Sequence, residues 1–222
     1  MEHPVPPRRF VQLVGVDLYQ NRQPNEKYPK EGWRTSKEGN LVSLRSLEGC
    51  VNDVELIQGF LDDHFTPYER SILTSSPSKY PNIPVEEEHR VPTYQNIKRE
   101  FDNITNRARP GDSFYFHFSG HGAMVPKTEQ SPFQGGRTDE ASLLTSDYCY
   151  GKRPVRGWKL NQWLKKLDKK KVQVIVTLDS CYAAASWRYE GTVRSPENWS
   201  TCNLPGDEED EGEDEGEDEG GG

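Results

Sequence analysis

The stretch V-Q-V-I-V-T-L-D-S-C-Y-A-A-A at residues 172–185 is a β-branched and aliphatic run that stops abruptly at Asp179, Ser180 and Cys181. A short apolar run bounded by polar residues reads as a strand, and this one delivers a thiol at its carboxyl end. Working outward, three further runs have the same character: 10–18 (FVQLVGVDL), 69–74 (ERSILT) and 112–119 (DSFYFHFS). The last runs directly into Gly120, His121 and Gly122.

Helical patterns separate these runs. From Cys50 onward, Val51, Val54, Ile57 and Leu61 fall at helical spacing, with Asn52 and Asp53 in the first turn, where acceptors suit the positive end of the dipole. Thr93 can cap a second helix whose apolar stripe is Tyr94, Ile97, Phe101, Ile104 and Ala108, and Pro110 and Gly111 end it. A third helix aligns Trp158, Leu160, Trp163, Leu164 and Leu167, with Lys165, Lys166 and the lysines at 169–171 near its negative end. Residues 20–43 and 75–92 read as surface loops, and 123–157 as loop-like with one apolar piece at 141–144. Strands alternating with helices imply an α/β fold, a mostly parallel sheet with helices on both faces. Such sheets bind ligands beyond the carboxyl ends of their strands. A 2-1-3-4 strand order would make the strands ending at His121 and Cys181 neighbours.

Composition bounds the partners. The 222 residues suit one domain with a sizeable core. The formal charge of −8 comes from the tail: residues 207–219 hold eleven acids, and removing them leaves 25 acids against 28 Lys and Arg, a net of +3. A nearly neutral body gives no electrostatic case for nucleic acid. No apolar run reaches the roughly 20 residues needed to cross a bilayer, and residues 1–9 (MEHPVPPRR) lack an apolar segment that would act as a signal, so a cytoplasmic or nuclear location is expected, with no membrane partner. Cys50, Cys149, Cys181 and Cys202 are scattered without a C-x-x-C pair, which argues against a disulfide framework and against a zinc site; no metal is expected. The chain divides into an N-terminal extension at 1–9, one folded domain at 10–186, an irregular segment at 187–206 and a disordered acidic tail at 207–222.

The residues at the two strand ends define a chemistry. An imidazole beside a thiol is the usual means of generating a thiolate nucleophile at neutral pH, which makes His121 and Cys181 a candidate dyad. The backbone N–H groups of Cys181 and Gly122 are candidate donors to an oxyanion, so the reaction class is acyl transfer, most simply amide hydrolysis. Asp179, two residues before Cys181, shares its face of the strand. A carboxylate there would raise the thiol pKa and oppose activation, so its better use is to attract a cationic substrate group. Asp53 lies at the same rim, either as a second charge of that pocket or as a plain helix N-terminal charge. Two carboxylates imply Lys or Arg at the cleaved position. Cys50, Cys149 and Cys202 read as structural, the lysines at 165–171 as a solvated helix end, and His117 as packed against its strand's covered face.

The motifs G-C-V-N-D at 49–53, P-G-D-S-F-Y-F-H-F-S-G-H-G at 110–122, D-E-A at 139–141 and L-D-S-C at 178–181 resemble the caspase-like fold, and specifically the metacaspases. The resemblance covers roughly residues 9–186, the large-subunit (p20-like) half. It implies a three-layer αβα sandwich, His121 and Cys181 as catalytic dyad, and Asp53, Ser119 and Asp179 lining a primary pocket for Arg or Lys. Animal caspases carry Q-A-C and a basic pocket for Asp, and this chain has neither. Three departures stand out. Tyr182, Ala183 and Ala184 replace the His-Ser-Gly that follows the family's cysteine, and Gly157 and Trp158 stand where the family has a paired aspartate of its calcium site, so calcium activation in the family manner is not expected. The small-subunit strands are missing after Ala185, which would leave 172–178 as an apolar edge that needs a small-subunit-like partner or a dimer to cover it. Two readings follow: an endopeptidase cutting after Arg or Lys, with Arg188 and Arg194 as candidate self-cleavage sites, or an inactive caspase-like scaffold or truncated product that binds without turnover.

Overall fold

The computed structural model describes residues 6–20, 32–36, 39–80, 82–132 and 138–181, and all that follows concerns these. In chain order the elements are β1 (Arg9–Val16), α1 (Cys50–His64), β2 (Glu69–Ser75), α2 (Tyr94–Arg107), β3 (Ser113–Ser119), β4 (Gly122–Pro126), β5 (Asp139–Leu143), β6 (Val155–Arg156), α3 (Gly157–Lys169) and β7 (Gln173–Asp179). Four strands form a parallel sheet in the order β2-β1-β3-β7, so the strands ending at His121 and Cys181 are neighbours, as the sequence implies.

Strand alternation sorts side chains to two layers. Phe10, Val14 and Val16 of β1 join Phe114, Phe116 and Phe118 of β3 in one core under α2 and α3. Thr93 caps α2 as expected, its hydroxyl accepting from the Asn96 N–H at 3.1 Å. Phe101 stands at the centre, with ring centroids 5.1 Å from Phe116, 5.1 Å from Trp163 and 5.3 Å from Phe114. Each such aromatic pair adds about 0.5–1.5 kcal/mol beyond its area.

The opposite layer is thinner. Val11 and Leu13 of β1 pack with Val54 of α1, while Leu56 and Phe60 of that helix are 65% and 55% exposed. The stripe expected on this helix is therefore sealed only in part: Val54 is buried, but Val51, Ile57 and Leu61 are half-buried. The helix sits close to β1 because Gly15 has no side chain; a Cβ there would lie 2.6 Å from the Cys50 carbonyl oxygen.

The region 123–157 departs from its loop-like reading. It holds a three-stranded antiparallel sheet, β4-β5-β6, with Gly122 opposite Leu143 and Leu143 opposite Val155. These strands are five, five and two residues long and include Pro126, Ser142 and Arg156, so no period-2 apolar pattern announces them. A buried ion pair compensates: the Arg156 guanidinium meets the Glu140 carboxylate and donates to the Pro126 carbonyl at 2.9 Å, linking all three strands.

Among the described residues β7 is an edge strand, paired with β3 on one side and with no strand on the other. Residues 182–222 lie outside the described residues, including Tyr182, Ala183, Ala184, Arg188, Arg194, Cys202, the irregular segment and the acidic tail, and so does 1–5 of the N-terminal extension.

Candidate active site

The site is assembled at the carboxyl ends of β1, β3 and β7. The register sets Thr177 opposite His117 and Asp179 opposite Ser119. The Gly120 N–H donates to the Asp179 carbonyl at 3.1 Å, carrying the pairing one step past the strand ends. The chain then diverges, into β4 on one side and to half-buried Cys181 on the other. Gly122 rests directly against the cysteine: a Cβ at position 122 would overlap the Cys181 carbonyl oxygen. The turn bearing His121 thus meets the residue bearing the thiol.

His121 is fixed by three contacts. Its main-chain N–H donates to the Tyr19 hydroxyl at 2.6 Å, and the Tyr19 ring lies 4.8 Å from the imidazole, tilted by 41°. Its Nε2 is 2.8 Å from the Arg45 carbonyl oxygen. A carbonyl only accepts, so Nε2 carries the hydrogen and Nδ1 is the basic nitrogen of the neutral ring. Burial holds the imidazole pKa below its ordinary value, with the Arg45 carbonyl pulling the other way. At pH 7 the ring is therefore neutral and able to take a proton.

The main chain around it also leaves a donor spare. Leu144 N–H donates to the His121 carbonyl, which makes 121 and 144 the hydrogen-bonded pair of the β4-β5 ladder. Antiparallel pairs alternate, so Gly122, opposite Leu143, turns its N–H away from β5.

The pocket residues divide between two sites of order. Ser119 is buried and its hydroxyl donates to the Asp53 carboxylate at 2.9 Å. The N-terminus of α1 is served by a different acid: Asp17 accepts from the Cys50 N–H at 2.9 Å and the Val51 N–H at 3.3 Å. Asp53 remains in the first turn of the helix and faces the sheet, where it meets Ser119. Asp179 is exposed, one strand over from Ser119.

Sequence reasoning passed over three contributors. Asp17, Tyr19 and the Arg45 carbonyl act through contacts between segments far apart in the chain, which no local pattern encodes. Cys50, read as structural, lies three residues before Asp53 on the same helix face. Its thiol neighbours Ser119, and its pKa is pushed up to about 11 by burial first and by the Asp17 and Asp53 carboxylates, against the Ser119 hydrogen bond. It is an inert, neutral wall of the site.

Comparison with known proteins follows the same lines. The chain matches the family model described as metacaspase, peptidase C14 domain, over residues 37–188. It is similar to metacaspase-1 of Eremothecium gossypii, 24% identical over 165 residues, which cover 71% of this chain and 34% of that protein. It is also similar to metacaspase-7 of Arabidopsis thaliana, 35% identical over 84 residues, which cover 38% of this chain and 19% of that one. A Geobacter sulfurreducens protein of solved crystal structure superposes with a TM-score of 0.49 at 19% identity, over 79% of this chain and 51% of its own. The chain thus spans about a third of the first of these metacaspases and about a fifth of the second. With a matched model over more than half its length, and with the motifs of that family converging on one end of a parallel αβα sheet, the chain belongs to the metacaspases, the C14 family of cysteine peptidases.

Proposed function

We propose that this domain is the catalytic half of a cysteine endopeptidase that hydrolyses peptide bonds after Arg or Lys. The observation that carries the reading is the unbroken β3-β7 register, Ser119 opposite Asp179, which brings the turn bearing His121 against Cys181 and sets two carboxylates beside them. His121, neutral and with Nε2 held by the Arg45 carbonyl, takes the Cys181 proton through Nδ1. The thiolate attacks the scissile carbonyl. The N–H groups of Gly122 and Cys181 receive the oxyanion, and His121 returns the proton to the leaving amine. Water then hydrolyses the thioester. Asp53, oriented by Ser119, and Asp179 hold the guanidinium or ammonium of the residue before the cut. No step draws on calcium.

The test is hydrolysis of short peptides with Arg, Lys or Asp at the cleaved position, with and without calcium. Expected are turnover of the basic peptides alone, its loss in Cys181→Ala and in His121→Ala, and indifference to calcium. Cleavage that survives Cys181→Ala overturns the dyad, and cleavage of the Asp peptide overturns the pocket.

A second reading, a binding scaffold without turnover, draws on β7. Its outer edge is unpaired among the described residues and Ile175 is 51% exposed. The two readings share a partner, a small-subunit-like chain or a second copy seated on that edge. If turnover appears only when such a partner is added, the domain is an enzyme half; if binding occurs without turnover, the scaffold reading holds.

A further inference from the structure

Beneath the carboxylates lies a group that this chemistry leaves unused. His117 is 4% exposed and sits two residues before Ser119 on β3, so both side chains face the α1 layer. Its Nδ1 is 2.8 Å from the Thr177 hydroxyl, which in turn is 2.8 Å from the Tyr115 phenol. Its Nε2, on the ring edge remote from the backbone, is buried without a hydrogen-bond partner. A buried polar atom of this kind calls for an explanation. The titratable groups facing it are Asp53 and, beside Ser119, Cys50 from α1, Asp179 from β7, and Tyr115 on its own strand; its β1 neighbour, Leu13, is apolar.

The charges around this ring pull in opposite directions. Burial opposes protonation, while Asp53 and Asp179 favour it. Those are the carboxylates to which the pocket reading assigns a substrate cation. A proton on His117 and a cation in the pocket therefore compete for the same negative charge, and the competition is reciprocal.

We propose that His117 is a specificity-determining residue of the cationic pocket: its neutral imidazole leaves the charge of Asp53 and Asp179 to an incoming guanidinium or ammonium, and its protonated form takes that charge away. This inference rests on the pocket reading of Asp53, Ser119 and Asp179. The pocket is then open to basic side chains at neutral pH and closes as the pH falls, independently of the state of the His121-Cys181 pair.

The experiment uses the full 222-residue chain carrying Cys181→Ala, so that binding is read without turnover, and titrates it with Nα-acetyl-arginine amide and with its uncharged counterpart, Nα-acetyl-citrulline amide. Nitrogen-15 NMR of the histidine side chains follows His117 directly. The arginine probe is expected to move the His117 titration to lower pH, and the citrulline probe to leave it in place. Affinity for the arginine probe is expected to fall by up to about tenfold per pH unit across that titration. His117→Asn, which keeps an amide at the Nδ1 position for Thr177, is expected to flatten that slope. A His117 titration that ignores bound arginine probe, or an unchanged slope in His117→Asn, overturns the proposal while leaving the pocket intact. Equal binding of the two probes, binding unaffected by Asp179→Asn, or no binding of the arginine probe at any pH overturns the pocket itself, and His117's role with it. The NMR arm needs no change at His117, so it decides the question even if the variant fails to fold.

Discussion

β3 and β7 are adjacent parallel strands of seven residues in continuous register, yet their surroundings differ sharply. Five of the seven β3 residues are buried, whereas β7 alternates between half-buried and exposed along its whole length. β3 is paired on both edges and covered by aromatic side chains from α2 and α3; among the described residues β7 is paired on one edge and covered on one face. His121 is therefore carried by an enclosed inner strand of the sheet, and Cys181 by its least enclosed strand. The Cys181 side of the site is thus the more open of the two.

The contrast can be broken first in stability. Phe116→Ala, in β3 and fully buried against Phe101, should cost about 3–5 kcal/mol in chemical denaturation. A loss below about 1 kcal/mol would mean that β3 is not the anchor. Gly122→Ala comes next, because its methyl group must displace the Cys181 carbonyl. About 1–3 kcal/mol of overpacking is expected, together with loss of peptide hydrolysis well beyond what that destabilisation explains. Retention of full turnover would show that the two turns do not need each other.

Tyr19→Phe sharpens the comparison on the base's side. It strands the His121 N–H in a largely buried place, at about 1–3 kcal/mol, and should lower kcat while leaving KM for a basic peptide nearly unchanged. A KM effect alone would place Tyr19 in substrate binding instead.

Buried His117 and half-buried His121 add a pH signature. His117 and His121 both have folded pKa values below the ordinary 6.5, so the unfolded chain takes their protons first. Stability they contribute is complete above about pH 6.5 and is lost as pH falls from there through the folded values. Hydrolysis should show an acid limb in the same range as His121 loses its basic form, and the stability slope should shrink in His117→Asn. The smallest effect belongs to β7: Ile175→Thr should stay within about 0.5 kcal/mol, and β7 amides should exchange faster than those of β3. Protection of β7 equal to that of β3 would erase the distinction between the strands.

Much of this arrangement was legible in the chain. The four sheet strands and three helices follow from apolar runs and 3.6-residue stripes, because those elements bury one continuous face each. Tyr94, Ile97, Phe101 and Ile104 all lie inside, and Leu160, Trp163, Leu164 and Leu167 do too. The small sheet at β4-β5-β6 escaped because its strands are only two to five residues long and mix polar residues with the apolar ones, although Ala123, Val125, Leu143 and Val155 pack into the main core. Within the site, Asp53 was legible as a rim charge and ambiguous in role, since a helix N-terminus accepts any acid. Asp17, 33 residues before Cys50, accepts from the first N–H groups of that helix, while Asp53, in its first turn, meets Ser119.

The Arg45 carbonyl that holds His121 has a consequence for anyone who scans this domain by substitution. The tautomer of the His121 ring is set by an atom that every amino acid possesses, so replacing Arg45 leaves the contact chemically intact and the scan silent at that position. Sensitivity moves to whatever fixes the course of the backbone there, and the nearest such tie is the Leu47 N–H donating to the Asp17 carbonyl at 2.8 Å. A map of harmful substitutions would thus show an apparent gap at residue 45, flanked by intolerance at positions that touch no substrate.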